Sequence, residues 1–208
     1  MSKYMALVFD DGPRYPFIEM VDKFISYDFK AAFAIIGNKI NDETERMLKY
    51  AIDNGFELVS HGQNHISLST LKNKQEILDE LTLPIKEVEK RLDYKIKSAR
   101  LPFISYNDDV LQIAETLKIP LFGSGCGGGR DWANDTTPEI IANAILSTAC
   151  DGAIGCLHVT EMTLKALDVV LPELKNRGYV LTTPKELFRI KGINNIPLGI
   201  NIDNVNFV

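Results

Sequence analysis

No run in the 208 residues is apolar and long enough to cross a membrane as a helix, although 45% of them are apolar. That sets the expectation of a soluble globular chain with material for a full core, read as a single domain over 1–208. Charge of one sign is also missing, since 23 basic residues stand against 28 acidic ones, a net charge of −5. A balance that mild speaks against nucleic acid and anionic membrane surfaces as partners. Cysteine is scarce. Cys126, Cys150 and Cys156 are odd in number and show no C-x-x-C spacing, which argues against a disulfide framework and a thiolate metal site. They are expected to be reduced, mostly buried thiols. Low-complexity tracts are absent, and 9% aromatic residues argue against disorder. The opening residues, MSKYMALVFDD, run straight into an apolar strand with no basic stretch, long apolar core or small-residue cleavage site. No secretion signal is read there, and the expectation is cytoplasmic. Asn134-Asp135-Thr136 fits a glycosylation sequon and, with no export signal, is taken as chance.

What is present is a regular exchange of apolar runs and helical spacings. YMALVF reads as a strand, and Phe17, Met20, Val21, Phe24 and Ile25 share one helical face after it. AAFAIIG is a second strand, followed by a helix capped at Asn41 or Asp42 and closed at Gly55. FELVSHG, a helix over Asn73–Leu92, SARLPF, a helix capped by Asn107, and IPLFGSG follow. A helix then starts at Thr137 with Pro138 in its first turn, and GAIGCLHV forms the sixth strand. EMTLKALDVVLPELKNRG is helical with a kink or break predicted at Pro172, and YVLTTPKELF gives a last strand and a short helical turn. Seven alternations predict an α/β fold with parallel strands and crossover helices. An open doubly wound sheet and a closed barrel both satisfy the pattern, and in both the ligand gathers at the C-terminal ends of the strands.

Those ends carry the unusual residues. VFDDGP puts Asp10 and Asp11 side by side after the first strand, where two carboxylates repel. SHGQNH puts His61 and His65 after the third, RLPF puts Arg100 and Phe103 after the fourth, and GSGCGGGRDW puts Asp131 and Trp132 after the fifth. His158 follows the sixth, so all three histidines of the chain fall on one predicted face. His61 and His65 lack the intervening Glu of a zincin helix, and Gly62 argues for a loop. Two imidazoles and one carboxylate make a catalytic metal site with open positions, while the second carboxylate is left free as a base. Successive strand side chains point oppositely, so Asp10 and Asp11 diverge unless the turn at Gly12 brings them together. Arg100 at this rim suits an aspartate partner, and Asp131 suits His158.

Five stretches in order, VFDDGP, HGQNH, RLPF, the DW of GGGRDW and the LH of CLHV, resemble the motifs of the NodB-homology polysaccharide deacetylases, carbohydrate esterase family 4. The resemblance runs from Tyr4 to about Phe188. It implies an irregular (β/α)7-type barrel with the site at the C-terminal ends of the strands. It implies a metal-dependent deacetylase, with Asp11, His61 and His65 as metal ligands. Asp10 is then the base that takes a proton from metal-bound water, and Arg100 positions it. The Phe103 backbone N–H helps hold the oxyanion, and His158 is the acid, tuned by Asp131 and packed by Trp132. The implied substrate is an acetylated carbohydrate, N-acetylglucosamine-type, with O-acetylated xylan as the alternative. The implied cofactor is one divalent ion, zinc by default, with cobalt, nickel or manganese open.

The chain also departs from the pattern. Val8 replaces the usual Thr, Phe103 the usual Tyr, and Val159 the acid after the last histidine. Cys156 stands where the family carries the leucine lining a pocket for the acetyl methyl, which bears on that pocket's size and polarity. Three rival readings share parts of this pattern. Gly123, Gly125 and Gly128 satisfy G-x-G-x-x-G, but the next helix starts near Thr137, too far on to face a pyrophosphate. A two-histidine, one-carboxylate iron oxygenase shares the ligand types. A non-catalytic carbohydrate-binding protein keeps the fold without turnover.

Overall fold

Strand β1 (Lys3–Gly12) sits at the centre, and its alternation sorts the core into two sides. In the computed structural model, which describes residues 2–207, Met5, Leu7 and Phe9 pack into a helix layer. Ala6 and Val8, pointing the other way, pack inside a curled sheet. Around β1 run β2 (Ala32–Ile35), β3 (Glu57–Ser60), β5 (Cys126–Gly127) and β6 (Ile154–His158), all parallel, in the order β3-β2-β1-β6-β5. Strand β7 (Tyr179–Thr182) pairs with the start of β1, over Lys3–Ala6. Strand β4 (Leu121–Phe122) pairs with β8 (Asn201–Ile202).

Single residues join the two sheets into a distorted barrel. Ala99 bridges Ser60 on one side and Leu121 on the other. Opposite it, the Ile154 N–H donates to the Asp203 carbonyl at 2.8 Å, and Ala153 bridges Asn204 antiparallel. The interior is filled by small residues from β1 and β2, Ala6, Ala32 and Ala34, against the large rings of Phe122 and Phe188. Among the described residues seven α-helices surround the sheet: α1 (Phe17–Ser26), α2 (Asp42–Asp53), α3 (Lys74–Leu92), α4 (Asp108–Thr116), α5 (Pro138–Thr148), α6 (Glu161–Asn176) and α7 (Pro184–Ile190). Their starts follow the capping chemistry in the sequence, with Asn41, Asn107, Thr137, Thr160 and Thr183 each accepting a backbone N–H of the first turn. No helix among the described residues is long and apolar enough to cross a membrane.

The barrel reading holds, with three corrections. The fourth strand expected at SARLPF shrinks to the bridge at Ala99, because the Arg100 carbonyl is taken by a histidine side chain and Pro102 has no N–H to give. Pro172 does not break α6, which runs on to Asn176. The carbonyl left without its helical donor belongs to Asp168, an exposed residue. Two-residue strands β5 and β8 were not expected at all. They are too short for periodicity to register.

Phe122 and Phe188 stack with centroids 6.1 Å apart, each 1% exposed. Phe188→Ala is expected to lower unfolding free energy by roughly 3–5 kcal/mol in chemical denaturation, with the slope unchanged.

Candidate active site

Asp10 continues the inward row of Ala6 and Val8, and it stands opposite His158 in the β1–β6 register. A regular strand would aim Asp11 at the opposite face. Instead the β1–β2 register shifts between Phe9 and Gly12, and Asp11 takes a left-handed backbone with φ +68°. That irregularity turns the second carboxylate back toward the same barrel mouth. It costs a non-glycine residue on the order of 1–2 kcal/mol.

His61 follows β3, is 1% exposed, and is pinned from both ends. Its backbone N–H donates to the Ile35 carbonyl at 2.9 Å, and its Nδ1 lies 2.7 Å from the Arg100 carbonyl. A carbonyl can only accept, so Nδ1 carries the proton and the Nε2 lone pair faces outward. His65 reaches the same place through a loop, as Gly62 predicts, with left-handed residues at Gly62 and His65. Glu80, buried on α3, holds that loop by accepting the Gln63 and Asn64 N–H groups at 2.9 Å each and the Asn64 side-chain amide at 2.6 Å.

The Asp11 Oδ1 lies 3.1 Å from His65 Nε2 and 3.6 Å from His61 Nε2, and the three donor atoms fall within 4.8 Å of one another. Asp11 Oδ1 is buried with no hydrogen-bond partner, an orphan that a cation would satisfy. Burial pushes the Asp11 carboxyl up, but the two imidazoles facing it, His61 and His65, outweigh burial and hold the group well below the usual carboxylate range. A carboxylate and two imidazole nitrogens fit a divalent ion of the zinc or cobalt kind. The other Asp11 oxygen meets Arg14 at 3.4 Å, and Arg14 is anchored through Nε to the Val159 carbonyl at 2.7 Å.

Arg100 is fully buried and joins the two halves of this arrangement. Its backbone carbonyl holds His61, and its Nε donates to Asp10 Oδ2 at 2.8 Å. Its Nη1 donates to the Gly123 carbonyl. Burial works against the guanidinium charge, yet Asp10 outweighs it and raises the pKa of Arg100. The Asp10 Oδ1 remains buried and unpartnered, free to accept a proton. The Cys156 Sγ donates to Asp10 Oδ2 at 3.4 Å. Burial first, then the Asp10 charge, pushes this thiol well above its ordinary pKa, so it stays protonated as a donor.

On the far wall, His158 Nδ1 pairs with Asp131 Oδ1 at 2.8 Å. Asp131 Oδ2 accepts the His158 backbone N–H at 2.6 Å and the Thr163 hydroxyl at 2.8 Å, so the carboxylate is fixed on three sides. Burial pulls the His158 pKa down, but the hydrogen bond and charge of Asp131, helped by Asp10 and Asp11, raise it above the ordinary value.

Of the residues singled out in the sequence, Asp10, Asp11, His61, His65, Phe103, Trp132, Cys156 and His158 line one cavity of about 520 Å³. Arg100 and Asp131 lie buried behind it. Phe103 stands 68% exposed with its ring 4.8 Å from His65, and both it and Ile104 adopt left-handed backbones. Trp132 presents 61% of its surface to solvent under the Arg130 guanidinium. Glu80, Thr163 and Arg14 were missed. For Glu80 a signal existed, since it lies in the buried stripe of Ile77, Leu81 and Val88, where a carboxylate is costly without partners.

The polysaccharide deacetylase family model matches residues 1–122. A bifunctional xylanase/deacetylase of Pseudobutyrivibrio xylanivorans is 30% identical over 93% of this chain, and the chain spans 32% of that relative's length. A peptidoglycan-N-acetylglucosamine deacetylase of Bacillus cereus is 31% identical, covering 91% of this chain and 90% of its own. Among solved structures, a family 4 acetyl xylan esterase from Clostridium thermocellum with a cobalt ion superposes with a TM-score of 0.90 at 27% identity, over 98% of this chain and 99% of that one. The sequence motifs, the distorted barrel and these likenesses converge, and the chain belongs to the polysaccharide deacetylase family, the NodB-homology group of carbohydrate esterase family 4.

Proposed function

We propose that residues 1–208 form one catalytic domain, a metal-dependent hydrolase that removes acetyl groups from N-acetylglucosamine-type carbohydrate. The observation that carries this reading is the division of labour between the paired aspartates. Asp11 Oδ1 faces two imidazole nitrogens, while Asp10 Oδ1 is free beside a buried arginine. Asp11, His61 and His65 would hold the ion, which when bound lowers the pKa of water toward neutrality and polarises a carbonyl.

The remaining chemistry belongs to the side chains. Asp10 Oδ1 accepts a proton from the water that attacks the acetyl carbon, and Arg100 and Cys156 keep the other oxygen turned away. The Phe103 N–H supports the oxygen on which negative charge develops. His158, held by Asp131, delivers a proton from Nε2 to the departing amine, a poor leaving group until protonated. The acetyl methyl then rests near Cys156, in a pocket wider and more polar than a leucine would leave.

A second reading is O-deacetylation of acetylated xylan on the same residues. The names of the xylanase/deacetylase relative and of the cobalt-holding esterase favour it. Acetate release from a panel of N-acetylated and O-acetylated glycans separates the two. A binding protein would retain the glycans and release none.

Three outcomes follow for acetate release. Chelation abolishes activity, and added zinc restores it within the same assay. Asp10→Asn lowers kcat by about 10²–10⁴-fold, the usual contribution of a general base. Retention of full rate would remove Asp10 from that role. The third outcome concerns pH. His158 works as the protonated acid, so the rate falls as pH rises through its raised pKa. Removing the Asp131 charge lowers that pKa, and Asp131→Asn is expected to move the alkaline fall of kcat to lower pH.

A further inference from the structure

The glycines of GSGCGGG leave backbone exposed to close approach, and the structure shows what approaches. A Cβ added at Gly123 would overlap the Asp203 carboxylate, and one at Gly125 would overlap the Asp203 carbonyl. The loop is bare so that the segment after β8 can lie against it. Asp203 Oδ1 accepts the Ser124 N–H at 2.5 Å, its carbonyl accepts the Ile154 N–H at 2.8 Å, and the Ile202 carbonyl accepts the Gly123 N–H at 2.8 Å.

The Ser124 N–H and the Gly123 C=O belong to one planar peptide unit and point in opposite directions. Arg100 Nη1 donates to that carbonyl, so Asp203 and Arg100 hold the two ends of a single rigid group. A carboxylate on the N–H also polarises the amide and makes its oxygen a better acceptor for the guanidinium. The same guanidinium donates through Nε to Asp10. The geometry points to Asp203 as a positioning residue for Asp10, acting through the Gly123–Ser124 peptide and Arg100. This rests on the deacetylase reading for its effect on turnover, but the structural link stands apart from it. Without the acceptor, the peptide is released from one side, its carbonyl swings, and Arg100 no longer aims Asp10 at the substrate.

Asp203 is exposed, so its substitution leaves the core intact. Asp203→Ala is expected to lower kcat about tenfold with KM little changed, as a modest misplacement of a catalytic group does. Asp203→Asn keeps an acceptor oxygen and recovers most of the loss, whereas Asp203→Glu keeps the charge but moves the oxygen and does not. Independently of turnover, the Arg100 Nε–H resonance loses its protection from solvent exchange in Asp203→Ala while amides of β1 keep theirs. Wild-type kcat in Asp203→Ala, equal losses in the Ala and Asn variants, or an unchanged Arg100 resonance would each overturn the proposal. If the unaltered protein releases acetate from no glycan, the deacetylase reading fails, and the resonance alone decides the positioning link.

Discussion

A charged guanidinium with no exposed surface governs this active site. Arg100 is buried on every side, and such a charge is tolerable only where its donors meet fixed acceptors. Asp10 meets Nε and the Gly123 carbonyl meets Nη1, Nη2 is left buried without a partner, and the arginine's own carbonyl orients His61. Asp10 and His61, the base and one cation ligand of the proposed reaction, are thereby tied to a single residue. Moving Arg100 would disturb both halves of the chemistry together.

The second constraint is backbone geometry at Asp11. Alternation along β1 sends neighbours to opposite faces, yet the site needs two adjacent carboxylates on one face. The left-handed turn at Asp11 resolves that conflict locally, without disturbing the pairing of Val8 and Phe9 with β2. In this chain the DDG stretch thus carries a register shift as well as two acids.

Much of this was readable before any coordinates. Strand ends gathered the three histidines, Arg100 and Asp131, because parallel topology brings residues distant in the chain to one rim. Helix starts were readable through Asn41, Asn107 and Thr137, whose side chains do what their chemistry suggests. What escaped lies in interactions with no periodic trace. Strands β5 and β8 are two residues long each, so neither length nor alternation marks them. The fourth strand failed as a strand because Arg100 and His61 exchange a side-chain bond where a ladder bond was expected. Glu80 and Thr163 look like ordinary helix residues until the loops they hold are in view.

Asp11, His65, Phe103 and Ile104 all hold left-handed backbones around the cavity, and none is glycine. Each conformation costs on the order of a kilocalorie, so the mouth of the barrel stores strain that the core must offset. Drift to glycine or asparagine at Asp11 or His65 would relax the fold while removing a side chain that the proposed reaction uses. Catalytic decay on this scaffold therefore runs downhill in stability, and only selection on turnover keeps the strained residues in place.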